Sequence, residues 1–438
     1  GHLAYGTLPI VSQIADDVVI IPSLYKTKLV AENGSFFSLH GITSTEIDFV
    51  VEDRYANASL GNNLLIGGGV VQAYDGQTIA ESGFNIYPEP PTLLEVTSGT
   101  PTNNSTRDIL DGNYGYCTVY KWTDHQGQDH RSAPSEIVNI ITTSGPSAVQ
   151  LTIPTLRLTQ KENVVVEVYR TEDNGTIFYL TNSVTVPFFN DSSADTVVYV
   201  DGRADDPDLI TGQLLYTTGG VLENIAPPSA RVMANHTASK RIFLAGLENP
   251  YELLYSKQTF EGRPVEFNDA LKLPTDPVGG PLTALASMDE KLIIFAEDAT
   301  FYLNGSGPNN AGQGNTFTEP ERLSSDIGCL DPKSVVLTPE GLMFRSRKGI
   351  YLLGRGLNFT YIGAPVEAFN SLTITSAKVV SELNQVRFTT IDGDCLTYNY
   401  EYKFWSTFTN HKAKSAEVVG NNYYYLRTNN ELFKENRQ

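Results

Sequence analysis

A short pattern returns along the second half of this chain, and no other feature limits its fold so strongly. The copies are RIFLAGLENPYELLYS (Arg241 to Ser256), KLIIFAEDATFYLNG (Lys291 to Gly305), GLMFRSRKGIYLLGRG (Gly341 to Gly356) and QVRFTTIDGDCLTYNY (Gln385 to Tyr400). A weaker copy is NYYYLRTNNELFK (Asn422 to Lys434). Each is an apolar strand, a polar turn and a second strand rich in Tyr and Leu. The first strands open at Ile242, Leu292, Leu342, Val386 and Tyr424, giving steps of 50, 50, 44 and 38 residues. Strand hairpins repeating every 40–50 residues or so point to β-propeller blades. In RIFLA, Ile242 and Leu244 face one way, Phe243 and Ala245 the other, and all are apolar. Such a strand is covered on both faces, as the inner strands of stacked blades are.

With 438 residues, two or three domains are expected. Tyr, Phe and Gly are plentiful (23, 20 and 36), while Met and Trp are rare (3 and 2), a balance that favours strands broken by tight turns. No stretch reads as a long amphipathic helix or as a membrane span. The net charge of −19 argues against a broad basic surface gripping nucleic acid. It is compatible with an acidic wall past which DNA slides without sticking. Cys117, Cys329 and Cys395 are sparse and odd in number, which argues against a disulfide framework and fits folding in a reducing cytosol. No signal peptide pattern is visible.

Residues 1–90 carry more strand material. Ser35 to Ile42 and Thr45 to Tyr55 are strand-like, and NLLIGGGVVQAYDGQTIAES (Asn63 to Ser82) is a hairpin resembling the C-terminal repeats. YPEPP (Tyr87 to Pro91) ends that region, because consecutive prolines stop strand pairing. The texture then changes. Tyr114 to Val138 reads as a long strand, a turn around Gly127 and a Ser-Pro exit. Val164 to Val184 is a hairpin turning at Asp173-Asn174-Gly175, and Thr196 to Gly202 is a further strand. Long strands at this spacing suggest a β-sandwich of the fibronectin type III or immunoglobulin kind; the lack of a Cys–Trp–Cys signature favours the former. Asp205 to Gly220 reads as a linker, after which blades resume near Ala226-Pro227-Pro228. The expected fold is therefore all-β: N-terminal propeller blades over 1–90, an inserted fibronectin type III/immunoglobulin-like β-sandwich over 91–215, and the remaining blades over 216–438.

Few residues offer chemistry. His125 and His130 flank a turn with Asp124 and Asp129, but no metal-ligand spacing accompanies them, so solvated turn residues are expected. Asp48, Glu167 and Glu266 interrupt apolar runs, as a carboxylate pair of a propeller glycosidase would, yet alternation puts each on an exposed strand face. Asp205, Asp206 and Asp208 supply oxygens of the type Ca²⁺ takes, with a solvated linker as the plainer reading. Arg345, Arg347 and Lys348 cluster at a blade turn, where they would meet a phosphate, a neighbouring subunit or simply water. Catalytic motifs such as a P-loop, H-E-x-x-H or a G-x-S-x-G elbow do not occur. No metal or other cofactor is expected.

Three segments in succession resemble one family. They are APPSARVMANHTASKRIFLAGLENPYELLYSKQ (Ala226 to Gln258), LTALASMDEKLIIFAEDATFYLNGSGP (Leu282 to Pro308) and SSDIGCLDPKSVVLTPEGLMFRSRKGIYLLGRG (Ser324 to Gly356). Their order is similar to the propeller of the tail nozzle (tail tubular protein B-like) proteins of short-tailed bacteriophages, over about the C-terminal half of the chain. That resemblance implies a non-enzymatic virion protein assembled in the bacterial cytoplasm. It implies a homohexameric ring below a tail adaptor ring, contacting tail fibres or spikes. Such a ring retains the genome and lets DNA pass through its lumen at ejection, without sequence-specific binding. A receptor- or glycan-binding propeller, with an aromatic-lined pocket, is the alternative, and a propeller glycoside hydrolase stands behind it.

Overall fold

The computed structural model describes four strands between Val18 and Glu46, by their backbone pairing, and residues 56–435 apart from Gly68, Asn104, Val184 and Asn430. Nearly all regular structure in it is antiparallel β. Seven sheets are up-and-down meanders whose strands pair in chain order. Sheet A comprises Val18–Ile21, Lys28–Ala31, Ser35–Ser38 and Gly41–Glu46, and sheet B comprises Asn57–Leu60, Asn63–Ile66, Gln72–Tyr74 and Ile79–Glu81. Sheet C is Val232–His236, Arg241–Ala245, Glu252–Tyr255 and Lys272–Pro274; sheet D is Leu282–Met288, Lys291–Ala296, Thr300–Leu303 and Glu321–Ser324. Sheet E is Val336–Thr338, Gly341–Ser346, Gly349–Gly354 and Phe359–Tyr361; sheet F is Ile374–Val380, Gln385–Thr390, Cys395–Asn399 and Phe404–Phe408. Sheet G has three strands, Ala413–Val419, Asn422–Arg427 and Leu432–Lys434.

The first strands of neighbouring sheets lie against one another in the order B, C, D, E, F, G, A. The architecture is thus all-β and propeller-like, with the N-terminal sheet A packed against the C-terminal sheet G. The five sequence repeats are the second and third strands of sheets C to G, and the Asn63 hairpin supplies the same pair in sheet B.

The double-sided apolar strands explain the stacking. In sheet C, Phe243 and Ala245 join Leu292, Ile294 and Phe301 in the core between C and D. Ile242 and Leu244 join Leu65 and Phe267 between B and C. The alternation continues: Ile293 and Phe295 of sheet D meet Leu342 and Phe344 of sheet E, while Met343 turns to Val386 and Phe388 of sheet F. Each fully buried Leu, Ile or Phe stabilises the stack by roughly 1.5–3 kcal/mol. No sheet can bury both faces alone, so the fold depends on sequential neighbours. Close approach of B to C also fixes Gly67: a Cβ there would lie 2.5 Å from the Ala230 carbonyl oxygen.

Between sheets B and C the chain forms two further sheets. One has Gly112–Thr123 at its centre, paired with Asp129–Arg131 and Val138–Thr142 on one side and Val165–Arg170, then Tyr179–Leu180, on the other. The second runs Thr196–Asp201, Ala148–Pro154, Thr92–Val96. Tyr114, Tyr116, Tyr120, Val166 and Val168 of the first share a core with Val149, Leu151, Ile153 and Tyr199 of the second. The opposite face of the first sheet is also covered. Cys117, Val119 and Tyr169 lie under Leu215, and the Leu215 N–H donates to the Phe178 carbonyl (3.0 Å). The stretch expected as a free linker, Asp205 to Gly220, is therefore in part a strap docked on this sheet, because Leu209 and Leu215 bury their side chains. Among the described residues no helix is long and apolar enough to cross a membrane.

Candidate functional site

The densest polar architecture lies where the intervening unit meets sheets B and C. It begins with the turn that follows Gly112–Thr123. Asp124 accepts the N–H groups of Gln126 (2.8 Å) and Gln128 (2.9 Å), and Gly127 supplies the positive φ (77°) that closes the turn. The Asp124 carboxylate also meets His130 Nε2 at 3.1 Å, and the imidazole lies 4.9 Å from the Trp122 ring. His130 and Asp124 are buried. The expectation of a solvated turn is corrected for Asp124 and His130 and holds for His125, which is exposed while the turn rests on the Asp75-Gly76 turn of sheet B. Asp75 receives the His125 N–H at 3.0 Å and faces His125 Nδ1 at 3.1 Å, while also capping its own turn through Gln77 and Thr78. Burial alone would raise the Asp75 carboxyl; the N–H groups of Gln77, His125 and Thr78 outweigh it and hold the carboxyl below its ordinary value.

Below this contact sits Lys161, whose side chain is fully buried. Its ammonium donates to the carbonyls of Glu81 (2.6 Å) and Gly83 (2.7 Å), pairs with the Glu81 carboxylate (2.9 Å) and lies 4.8 Å from the Phe84 ring centre. Burial lowers its pKa to about 8 against the pull of Glu81. Above Lys161 a cleft of about 760 Å³ opens between sheet B and the unit.

A second joint faces sheet C. Arg131 forks onto Glu167, Nε to Oε2 at 2.9 Å and Nη2 to Oε1 at 3.0 Å, and the Tyr169 hydroxyl adds a third bond to Oε2. Asn224 donates to the Arg131 carbonyl (3.0 Å) and to Glu266 (2.8 Å), and accepts from Lys257 Nζ (2.5 Å). Glu167 is buried and Glu266 half-buried, not exposed as strand alternation suggested. The outer face of the sheet is covered by Leu215 and Tyr216 of the strap, and the acids are held by cations, Glu167 by Arg131 and Glu266 by Lys257 at 3.9 Å. Asp48 lies outside the described residues.

The acidic stretch is split by the fold. Asp205 turns inward to Arg170 (2.8 Å) and accepts the Asp173 N–H (2.9 Å), whereas Asp206 and Asp208 are exposed. Arg170 and Asp201 are both fully buried, 3.0 Å apart. Asp205 is thus part of a buried ion network, not of a solvated linker, and among the described residues no group of three or more His, Cys, Asp or Glu could hold a metal.

The basic turn of sheet E is split as well. Arg345 is buried, paired with Asp331 and donating to the Asn370 carbonyl (2.6 Å). This corrects the solvated reading for Arg345, whose guanidinium is held between Asp331 and the Asn370 carbonyl. Arg347 and Lys348 are exposed and pair with Asp298 (3.0 Å) and Asp326 (2.5 Å) near sheet D. Water screens these two pairs, so they contribute little.

Sequence reasoning did not find the buried cations Lys161, Arg170, Arg241 and Lys257. For Arg170 and Lys257 the available signal was a cation at the end of an apolar strand, as in VVEVYR and ELLYSK; Arg241 opens its strand and Lys161 lies in a loop, and neither carries that signal. All three cysteines are free and buried.

No protein-family model and no curated protein matches the chain. Among solved structures, a chain of the crystallised mitotic checkpoint complex aligns at TM-score 0.32 and 10% identity, covering 79% of this chain and 94% of that one. PorZ, a bacterial surface component of the type-IX secretion system of Porphyromonas gingivalis, aligns at TM-score 0.31 and 9% identity, covering 94% of this chain and 61% of that one. At these scores neither likeness bears on function.

Proposed function

We propose that this chain is a structural virion protein of the tail nozzle of a short-tailed bacteriophage: a propeller whose second and third blades are separated by an inserted fibronectin type III/immunoglobulin-like sandwich. The observation that best supports a structural role is the joint itself. The intervening unit is fixed to sheet B by Lys161–Glu81 and Asp75–His125, to the strap by the Tyr216 hydroxyl on the Ser132 carbonyl, and towards the end of sheet C through Arg131, Asn224 and Lys257. Buried, mutually satisfied polar groups are costly to separate, which suits a rigid building block. The three segments that carry the sequence resemblance fall in and around sheets C, D and E. Acidic charge suits a conduit that must not retain DNA.

In this reading, copies form a homohexameric ring with an axial lumen, next to an adaptor ring and to fibres or spikes. The chain acts without catalysis and is assembled in the bacterial cytoplasm. Mass photometry and electron-microscopy class averages test this reading. A six-fold ring with an axial hole is expected, alone or with the adaptor protein. A monodisperse monomer under both conditions would sink it.

A further inference from the structure

We propose that the cleft between sheet B and the intervening unit binds a short neutral saccharide. This inference stands on the cleft and does not rest on the nozzle reading. A sugar presents C–H faces flanked by neighbouring hydroxyls, so its site needs an apolar ring beside planar groups that accept or donate hydrogen bonds. The cleft supplies both.

Its apolar wall is Phe189, 49% exposed, above a floor that includes Ile79 and Trp122. The ring is held in place by its backbone. Val166 N–H donates to the Phe188 carbonyl and Asn190 N–H to the Val164 carbonyl (both 2.8 Å), and Val165 bridges Phe189. Alternation then sends Phe188 inward, edge-on to Tyr199 at 5.1 Å, and Phe189 outward. Ordering that wall before ligand arrives lowers the cost of binding.

The polar side chains are Gln160, Glu162 and Asn163 on the facing loop. Glu162 and Asn163 are exposed, and Gln160 uses its backbone N–H on Glu81. None of the three side chains has a hydrogen-bond partner among the described residues, so two amides and one carboxylate are available to hydroxyls. The loop is anchored from below, since the next residue to Gln160 is the buried Lys161.

Charge narrows the ligand class. The cation lining the cleft, Lys121, already pairs with Asp129 at 3.0 Å, and the Asp75 carboxylate already occupies His125 Nδ1. Lys121 is the one Lys or Arg among the lining residues and is already paired, and Glu162 repels a phosphate or sugar acid. A neutral saccharide is the class that fits.

The test uses the full chain carrying Trp405→Phe, which leaves Trp122 at the cleft floor as the sole indole. Neutral di- to tetrasaccharides of glucose, galactose and N-acetylglucosamine are screened by Trp122 fluorescence, and hits are confirmed by calorimetry. Phe189→Ala is expected to weaken binding about ten-fold, the size of a lost aromatic contact, and Phe189→Trp to preserve it. Glu162→Gln, which keeps the planar group, is expected to change affinity less than Glu162→Ala. Both positions lie at the surface, so the variants fold. No binding at millimolar saccharide overturns the proposal. So does binding unaffected by Phe189→Ala and Glu162→Ala, or binding of acidic sugars or peptides alone.

Discussion

Replacing Asp201 by Ala is the sharpest test of how the intervening unit holds together. Asp201 accepts four hydrogen bonds: Arg170 Nη1 (3.0 Å), the Tyr116 hydroxyl (3.0 Å), Asn103 Nδ2 (2.7 Å) and the Arg203 N–H (3.1 Å). Neither charged partner has solvent contact. Asp201→Ala would leave the guanidinium with only Asp205 and the Arg203 carbonyl as acceptors and take the acceptor from the buried Tyr116 hydroxyl and Asn103 amide; breaking a buried pair in this way costs about 3–5 kcal/mol. Asp205 is 26% exposed, so water can replace it in Asp205→Ala, and the loss should be nearer 1–2 kcal/mol. Arg170→Met with Asp201→Leu removes both charges and should recover part of the loss, the Tyr116, Asn103 and Arg203 donors still lacking their acceptor. Denaturant unfolding followed by Trp122 fluorescence in a Trp405→Phe background reads all three, because that indole lies in the same core. Millimolar calcium should leave the midpoint unchanged if Asp205 serves Arg170 and not a cation. The reasoning fails if Asp201→Ala costs under about 1 kcal/mol, or if Asp205→Ala costs as much as Asp201→Ala.

Three further outcomes are expected. Phe344→Ala, emptying the contact with Phe295 (4.6 Å between ring centres) in the joint of sheets D and E, should cost about 3–5 kcal/mol in denaturant unfolding followed by Trp405, which packs on the neighbouring core between sheets E and F. His411 is stacked on Tyr425; burial, then Arg387 and Arg427, depress its pKa from 6.5 to about 4. The unfolded chain therefore takes a proton that the folded one refuses. Stability is full above pH 6.5 and falls as pH drops towards 4, by up to about 3 kcal/mol, and His411→Phe should flatten that slope in pH-dependent melts. Burial raises the thiols of Cys117 and Cys329 to about 12 and that of Cys395 to about 11. An aromatic disulfide reagent should therefore label none in the native protein and all three after denaturation.

The sequence determined the strands and their stacking unit. RIFLA, KLIIFA and GLMFRS are apolar at every side-chain position or nearly so, and such strands demand cover on both faces. The period of the hairpins then implies a ring of like sheets, and the change of texture after YPEPP marks where the meanders stop. Local pattern also placed the turns at Gly127 and Asn174, where positive φ is needed. What sequence could not supply was the second partner of each polar group. Glu167 alternates with Val166 and Val168 as an exposed residue would, yet Leu215 and Tyr216 of the strap cover that face and Asn224 bonds the Arg131 carbonyl beside it. Asp205 has the same composition around it as Asp206 and Asp208; only the position of Arg170, on a different strand, separates a structural acid from two solvated ones. The cleft likewise brings Ile79, Trp122, Glu162 and Phe189 around one space from four stretches of chain. Burial of apolar strands is a one-dimensional property set by alternation. The role of a charge depends on its desolvation and its counter-charge, and both are fixed only when distant segments meet.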